Sequence, residues 1–159
     1  MTETFDSKRL ARLAGHALCV HLRFPKPADV PRLVELMAQT GFAIPESIVH
    51  DQLNALTSVG DWVRVAERNG VVVGIITVHD TPLLHRAEPV ARVTLLAVDS
   101  DHSGSGVGSA LLAEAESAAR ERGIRIMEVI SNHRFQEAHQ FYEQRGYEQS
   151  SLKFKKSLS

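Results

Sequence analysis

The stretch Ser100-Asp-His-Ser-Gly-Ser-Gly-Val-Gly-Ser-Ala-Leu-Leu112 decides how this chain is read. An apolar run, Val93-Thr-Leu-Leu-Ala-Val98, precedes it, and a helix-like segment from Leu111 to Arg122 follows. Gly104, Gly106 and Gly108 therefore stand between an expected strand and an expected helix. Glycine lets a backbone turn tightly and lets a ligand come close to it. A helix start leaves N–H groups without acceptors and carries a partial positive charge. Ser103, Gly104, Ser105, Gly106, Val107, Gly108 and Ser109 together read as a cradle for an anion, most often a phosphate or pyrophosphate.

Two familiar nucleotide fingerprints do not fit. A dinucleotide site needs G-x-G-x-x-G, and the third required position here is Ser109. A P-loop needs G-K-[ST], and the loop contains no lysine.

Working outward, Val90 to Val98 is mostly apolar and reads as a central strand. Trp62 to Glu67 and Val71 to His79 are strand-like, with Asn69-Gly70 between them as a hairpin signal. Gly74, inside the second of these, suggests a bulge or a close backbone contact. Leu18, Val20, Leu22 and Phe24 alternate with polar residues and predict a strand over Ala17 to Phe24. Val30, Leu33, Val34, Leu36 and Met37 repeat at helical spacing after Asp29, and Pro45 to Leu56 predicts a second helix. Beyond the glycine loop, Ile124 to Ile130 predicts a strand, Phe135 to Arg145 a helix, and Tyr147 to Lys156 a final strand. The expected fold is α/β of the α+β type, a mixed and largely antiparallel sheet covered by helices, in the order β-α-α-β-β-β-α-β-α-β. Residues 1–16 read as an N-terminal arm and 17–159 as a single domain.

Composition narrows the partners. Lys and Arg number 18 against 19 Asp and Glu, so no broad basic surface for nucleic acid is indicated. No apolar run approaches the roughly 20 residues of a membrane span. Cys19 is the single cysteine, which excludes an internal disulfide, and Met1 to Ala17 lacks a signal-peptide core. The expectation is a cytoplasmic protein with no nucleic-acid or membrane partner. No metal is expected either, because no histidine pair has i, i+4 spacing with a third ligand in an obvious place. The nearest approach to a metal set is His79, Asp80 and His85.

A second set of residues gives the glycine loop a context. Asn132 follows an expected strand, and Ala138-x-x-Phe141-Tyr142-Glu143-x-x-Gly146-Tyr147 runs along the next helix. With Leu95-Leu-Ala-Val98 and Gly104-x-Gly106-x-Gly108, in this order, the chain resembles the GNAT superfamily of acyl-CoA-dependent N-acyltransferases from about Leu18 to Lys156. The resemblance implies acetyl-CoA as cosubstrate, with its pyrophosphate on the loop from Ser103 to Ser109. It implies a bulge in the preceding strand, and a backbone N–H of Leu96 or Val98 polarising the thioester. It implies Asn132 on the pantetheine arm and Tyr142 as the acid that protonates the leaving thiolate. Basic residues common in the family at the positions of Ser103 and Ser105 are absent, so Arg120, Arg122, Arg134 or a lysine must compensate, or the backbone must do most of the holding.

Residue chemistry adds alternatives. Tyr142 also fits as a packing aromatic beside Ala138 and Phe141, and Asn132 as a strand-end cap. An amine has a pKa near 10 and needs a base at neutral pH. Candidates are His133 and His139, with Glu88 at the entry of the central strand and His79 and Asp80 at a strand end. His139 equally suits a bond to a backbone carbonyl. The expected reaction is acetyl transfer to a primary amine of a small molecule. Ser131-Asn-His-Arg134, followed by Ala138-His-x-Phe-Tyr142 and a Ser150-Ser151-x-x-Phe154-x-Lys156 terminus, is similar to family members acting on small amines, including aminoalkylphosphonates and amino-acid-like compounds, and Arg92, Arg134 or Lys153 would hold an anionic end. An inactive acyl-CoA-binding module and acetylation of a protein lysine or N-terminus are the alternatives. A homodimer is compatible with this fold class.

Overall fold

The computed structural model describes residues 20–158. The arm expected over residues 1–16 and the first part of the strand expected over 17–24 lie outside the described residues. Five strands form one sheet in the order β1-β2-β3-β4-β5: β1 His21–Arg23, β2 Trp62–Arg68, β3 Val71–Thr81, β4 Val90–Val98 and β5 Met127–Val129. β1 to β4 pair antiparallel and β5 joins β4 in parallel. The helices are α1 Val30–Gln39, α2 Glu46–Ser58, α3 Val107–Glu121 and α4 Gln136–Glu143.

Both faces of the sheet are covered, which is why the strands read as apolar runs. Val30, Leu33 and Leu36 of α1 and Val49 of α2 pack with Val63, Val65, Val72, Ile75 and Ala97 on one face. Val107, Leu111, Leu112, Ala115 and Ala119 of α3 pack with Ala66, Val73, Ile76, Val78, Ala91 and Val93 on the other. Each fully buried aliphatic side chain contributes about 1.5–3 kcal/mol. The β2–β3 hairpin turns through Asn69 at φ 51° and Gly70 at φ 78°, as the Asn-Gly pair predicts.

Gly74 serves both purposes suggested for it. Ala66 faces Gly74 while Glu67 faces Val72, so Val73 is an extra residue in β3. A Cβ on Gly74 would lie 3.0 Å from both Leu111 Cδ1 and Val107 Cγ1, and 3.2 Å from the Ala97 carbonyl. The start of α3 therefore seats directly on the β3 backbone.

The first turn of α3 is the main revision to the loop. The helix begins at Val107, so Val107, Gly108 and Ser109 are helical rather than loop residues. The final strand expected over Tyr147 to Lys156 does not form. From Glu148 to Leu158 the chain is irregular, with Leu152 84% and Phe154 89% exposed. Two apolar residues among Lys153, Lys155 and Lys156 bury too little to offset the entropy of ordering a strand. The neighbouring edge, β5, is only three residues long and offers few ladder bonds. The element order is thus β-α-α-β-β-β-α-β-α.

Candidate functional site

The glycine loop is held from below by a buried aspartate. Asp99 directly follows β4, its N–H donating to the Val73 carbonyl at 2.9 Å. Its carboxylate accepts the Asp101 N–H at 3.1 Å and pairs with Arg32 of α1. Burial raises its pKa, but the Asp101 N–H, the Arg32 charge and hydrogen bonds from Arg32 and Gln39 outweigh that and hold the carboxyl below its usual range. The Ser100 N–H reaches Gln39 Oε1 at 2.9 Å, a second tie to α1.

Above this base the loop spends some donors and frees others. The Ser103 N–H donates to the Ser100 carbonyl at 3.1 Å, and the Ser105 N–H to the His102 carbonyl at 3.2 Å. Ser105 Oγ adds a 2.6 Å bond to the same carbonyl. Gly106 at φ 89° is the residue before α3, and no side chain caps the helix. The N–H groups of Gly104, Gly106, Val107, Gly108 and Ser109 make no hydrogen bond among the described residues. Five free donors lie at and just before the positive end of a 15-residue helix, an arrangement whose chemistry suits an anion. Ser103 and Ser105 shape the turn that presents them.

β4 supplies the second half. Thr77 faces Leu95 while Val78 faces Val93, so Thr94 is a bulge residue with no partner, its hydroxyl 2.6 Å from that of Thr77. An extra residue reverses which backbone groups point to which neighbour. Before the bulge, the Ala91 N–H donates to the Ile126 carbonyl at 3.0 Å, towards β5. After it, Asp99 donates towards β3, so by alternation Leu95 and Ala97 also face β3 and the N–H groups of Leu96 and Val98 face the β5 side. The β4–β5 pairing stops at Val93 and Val129. Leu96 and Val98 thus lie on a stretch of strand edge that no described strand covers.

The segment after β5 leads through a turn into α4. Asn132 Oδ1 accepts the Arg134 N–H at 3.1 Å, and its carbonyl accepts the Phe135 N–H at 3.0 Å and His139 Nε2–H at 3.0 Å. Asn132 therefore holds a turn, and His139 braces it while its Nδ1 has no hydrogen-bond partner among the described residues. His133 is exposed in the same turn. Phe141 comes within 3.4 Å of the place a Cβ on Gly108 would occupy. Tyr142 packs edge-on to Phe141 and Tyr147, at 5.2 and 5.5 Å between ring centroids. Its hydroxyl has no hydrogen-bond partner among the described residues, and burial pushes its pKa up to about 12, so the proton is retained at neutral pH.

Other nominated groups lie elsewhere. Glu88 sits in a shallow depression with Arg86, Pro89 and Ile126, 3.5 Å from Arg125, at the opposite end of β4 from the loop. His79 Nδ1–H donates to the largely buried Asp61 at 2.6 Å, and Asp80 holds Arg122 by two bonds of 2.7 and 3.0 Å. These partners separate His79 from Asp80, and the described residues contain no cluster of three or more metal-ligating side chains. Arg92 pairs with Glu128 at 2.7 Å across β4 and β5, just before the two strands part. Of the cations nominated to serve the loop, Arg120 pairs with Glu116, Arg122 with Asp80, and Arg134 stacks on Phe135. Arg145 was missed: its guanidinium reaches Ser109 Oγ. Nothing local in the sequence separates it from an ordinary surface arginine.

Comparison with known proteins bears on the family and the fold. Residues 31–147 match the model of the Acetyltransferase (GNAT) family. The aminoalkylphosphonate N-acetyltransferase of Salmonella typhimurium is 41% identical over 95 residues, which is 60% of this chain and 62% of that protein. The matched region thus spans less than two thirds of that relative's length. A Trypanosoma brucei acetyltransferase superposes with a TM-score of 0.76 at 21% identity, covering 87% of this chain and 99% of that one. Glucosamine-6-phosphate N-acetyltransferase of Arabidopsis thaliana gives 0.75 at 17% identity, covering 88% and 99%. At those identities the two structures share the fold. No helix among the described residues is long and apolar enough to cross a membrane.

Proposed function

The chain belongs to the acetyltransferase (GNAT) family, and from that premise we propose that it transfers an acetyl group from acetyl-CoA to the primary amine of a small molecule. The observation that carries this reading is the pairing of five free N–H groups at the α3 start with the uncovered β4 edge beside them. The first suits a diphosphate. The second suits an extended amide-containing arm such as pantetheine, lying along Leu96 and Val98 as an added strand.

Chemistry follows from that placement. The neutral amine attacks the thioester carbonyl, and the negative charge that develops on oxygen is met by the Leu96 N–H. Such a donor contributes about 3 kcal/mol to the transition state. The C–S bond breaks and the sulfur takes the Tyr142 proton. The nitrogen proton passes to a base. Of the candidates, His139 and His133 share the segment with Tyr142, and His139 carries an oriented ring with Nδ1 available. Glu88 is the least favoured, because it stands at the far end of β4. Arg92 with Glu128 lies where β4 and β5 diverge and offers a guanidinium to the anionic end of an acceptor. The aminoalkylphosphonate specificity of the Salmonella relative makes such acceptors the first to try. The single cysteine and the acetyl-CoA requirement both suit a cytoplasmic setting.

The test is calorimetric titration with acetyl-CoA, followed by thiol release with a panel of aminoalkylphosphonates, amino acids, uncharged amines, and peptides with free N-termini or lysines. We expect binding, with turnover fastest on a small anionic amine. No binding would overturn the assignment. Turnover on peptides alone would redirect it to protein acetylation. The lack of basic side chains at Ser103 and Ser105 favours, as the second reading, a binding module without catalysis, which predicts binding and no turnover on any amine.

A further inference from the structure

We propose that Arg145 is the cation of the diphosphate site, set against the α3 start by Phe141 and Ser109 in place of a basic loop side chain. The proposal rests on the acetyl-CoA reading above.

Three contacts fix the guanidinium. It lies over the Phe141 ring, 3.7 Å from the centroid. One arm donates to the Phe141 carbonyl at 2.7 Å. The other donates to Ser109 Oγ. Phe141 in turn lies beside Gly108, its ring 3.4 Å from where a Cβ on that glycine would stand. A side chain from beyond α4 is thus locked beside two of the residues whose N–H groups are free. No carboxylate lies within ion-pair distance of Arg145 among the described residues. Two of the five guanidinium N–H groups are used, and three remain for an anion.

Electrostatics gives the arrangement its meaning. The Phe141 carbonyl belongs to the last turn of α4, where a cation is favourable. Ser109 belongs to the first turn of α3, where a cation is unfavourable. A guanidinium that only capped α4 would be opposed, as it reached Ser109 Oγ, by the positive end of a second helix. A diphosphate between the two reverses the sign of that second term, because helix dipole and guanidinium then act on the same negative charge. Ser103 and Ser105 contribute no charge to the loop, and Arg145 brings a basic group into contact with the first turn of α3.

The test compares wild type, Arg145→Gln and Ser109→Ala for three acetyl donors: acetyl-CoA, its 3′-dephospho form, and S-acetylpantetheine. With Arg145→Gln we expect dissociation constants for both CoA forms to rise about tenfold, as befits loss of a charged hydrogen bond, with a shallower salt dependence. Michaelis constants for S-acetylpantetheine, which has no phosphate, should not move. Ser109→Ala should give a smaller rise in the same direction. Equal loss with all three donors would show that Arg145 only supports α4 and would overturn the proposal. Unchanged CoA binding would overturn it too, as would an effect confined to the 3′-phosphorylated form. Failure of the wild type to bind any donor would instead overturn the acetyl-CoA reading beneath it.

Discussion

Tyr142 is favoured as an acid by what surrounds it rather than by its position in a motif. A hydroxyl with a pKa pushed to about 12 stays protonated through the whole working range of an amine acetyltransferase. It therefore keeps a proton to offer a thiolate at neutral pH, while the same burial makes that proton harder to release. Tyr142→Phe keeps the edge-on packing against Phe141 and Tyr147 and removes only the proton. We expect kcat for acetyl transfer to fall about a hundredfold, with little change in the Michaelis constant for acetyl-CoA. Wild-type kcat in the variant would reduce Tyr142 to a packing residue. Tyr147 is a less suitable donor. Its hydroxyl already donates to Glu116 at 3.1 Å, and burial with that carboxylate raises its pKa further.

At the level of elements, the site depends on how closely α3 approaches β3. The helix start can point its free N–H groups past the end of β4 only because Gly74 presents bare backbone to Val107 and Leu111. Both of those side chains are fully buried and have no room to retreat. Gly74→Ala should destabilise the fold by about 1–3 kcal/mol, read from the urea midpoint, because a methyl at 3.0 Å overpacks a closed core. A neutral result would mean that α3 can shift outward without cost. The bulge at Thr94 is the other element-scale device. It converts a continuous ladder into a strand that pairs with β5 at one end and leaves its edge uncovered at the other.

Over the whole molecule, two buried carboxylates, one bonded within its own segment and one to Arg32 across 67 residues, tie stability to pH. Asp29 accepts two bonds from Arg23 at 2.8 and 2.9 Å and one from the Lys26 N–H at 2.6 Å. The Arg23 bonds outweigh burial and hold its carboxyl below the ordinary value of 3.8. Asp99, bonded to Arg32, is shifted the same way. A carboxyl with a lowered pKa in the folded state contributes stability above its unfolded value and loses it as pH falls towards the folded one. Stability should therefore hold at pH 5–7 and decline below about pH 4. Asp29→Asn should cost about 2 kcal/mol at pH 7, by denaturant titration. The gap should narrow as the pH is lowered, since the wild-type group is then protonated as well. A gap that stays constant with pH would assign the loss to packing.

The parts of this protein that its sequence determined are the local ones. Strand alternation, helical spacing, the Asn69-Gly70 turn and the glycine loop each act over a few residues, so each was legible without neighbours. The order of those elements, with Tyr142 and Asn132 following the loop, was sufficient to place the chain near the GNAT family. Tertiary structure decided what depends on partners far along the chain. The Arg32 to Asp99 tie spans 67 residues and the Arg145 to Ser109 contact 36, separations at which no periodic pattern survives. The final strand was misjudged for the same reason, because alternation at Leu152 and Phe154 describes a face and supplies nothing to cover it. The glycine stretch shows the division most clearly. Its residues announced an anion site, but only packing showed that Ser103 and Ser105 turn their N–H groups inward, that α3 begins at Val107, and that the cation beside the loop comes from beyond α4. An anion site is built from free donors and charge, and which donors are free is settled only when the rest of the chain has taken its hydrogen bonds.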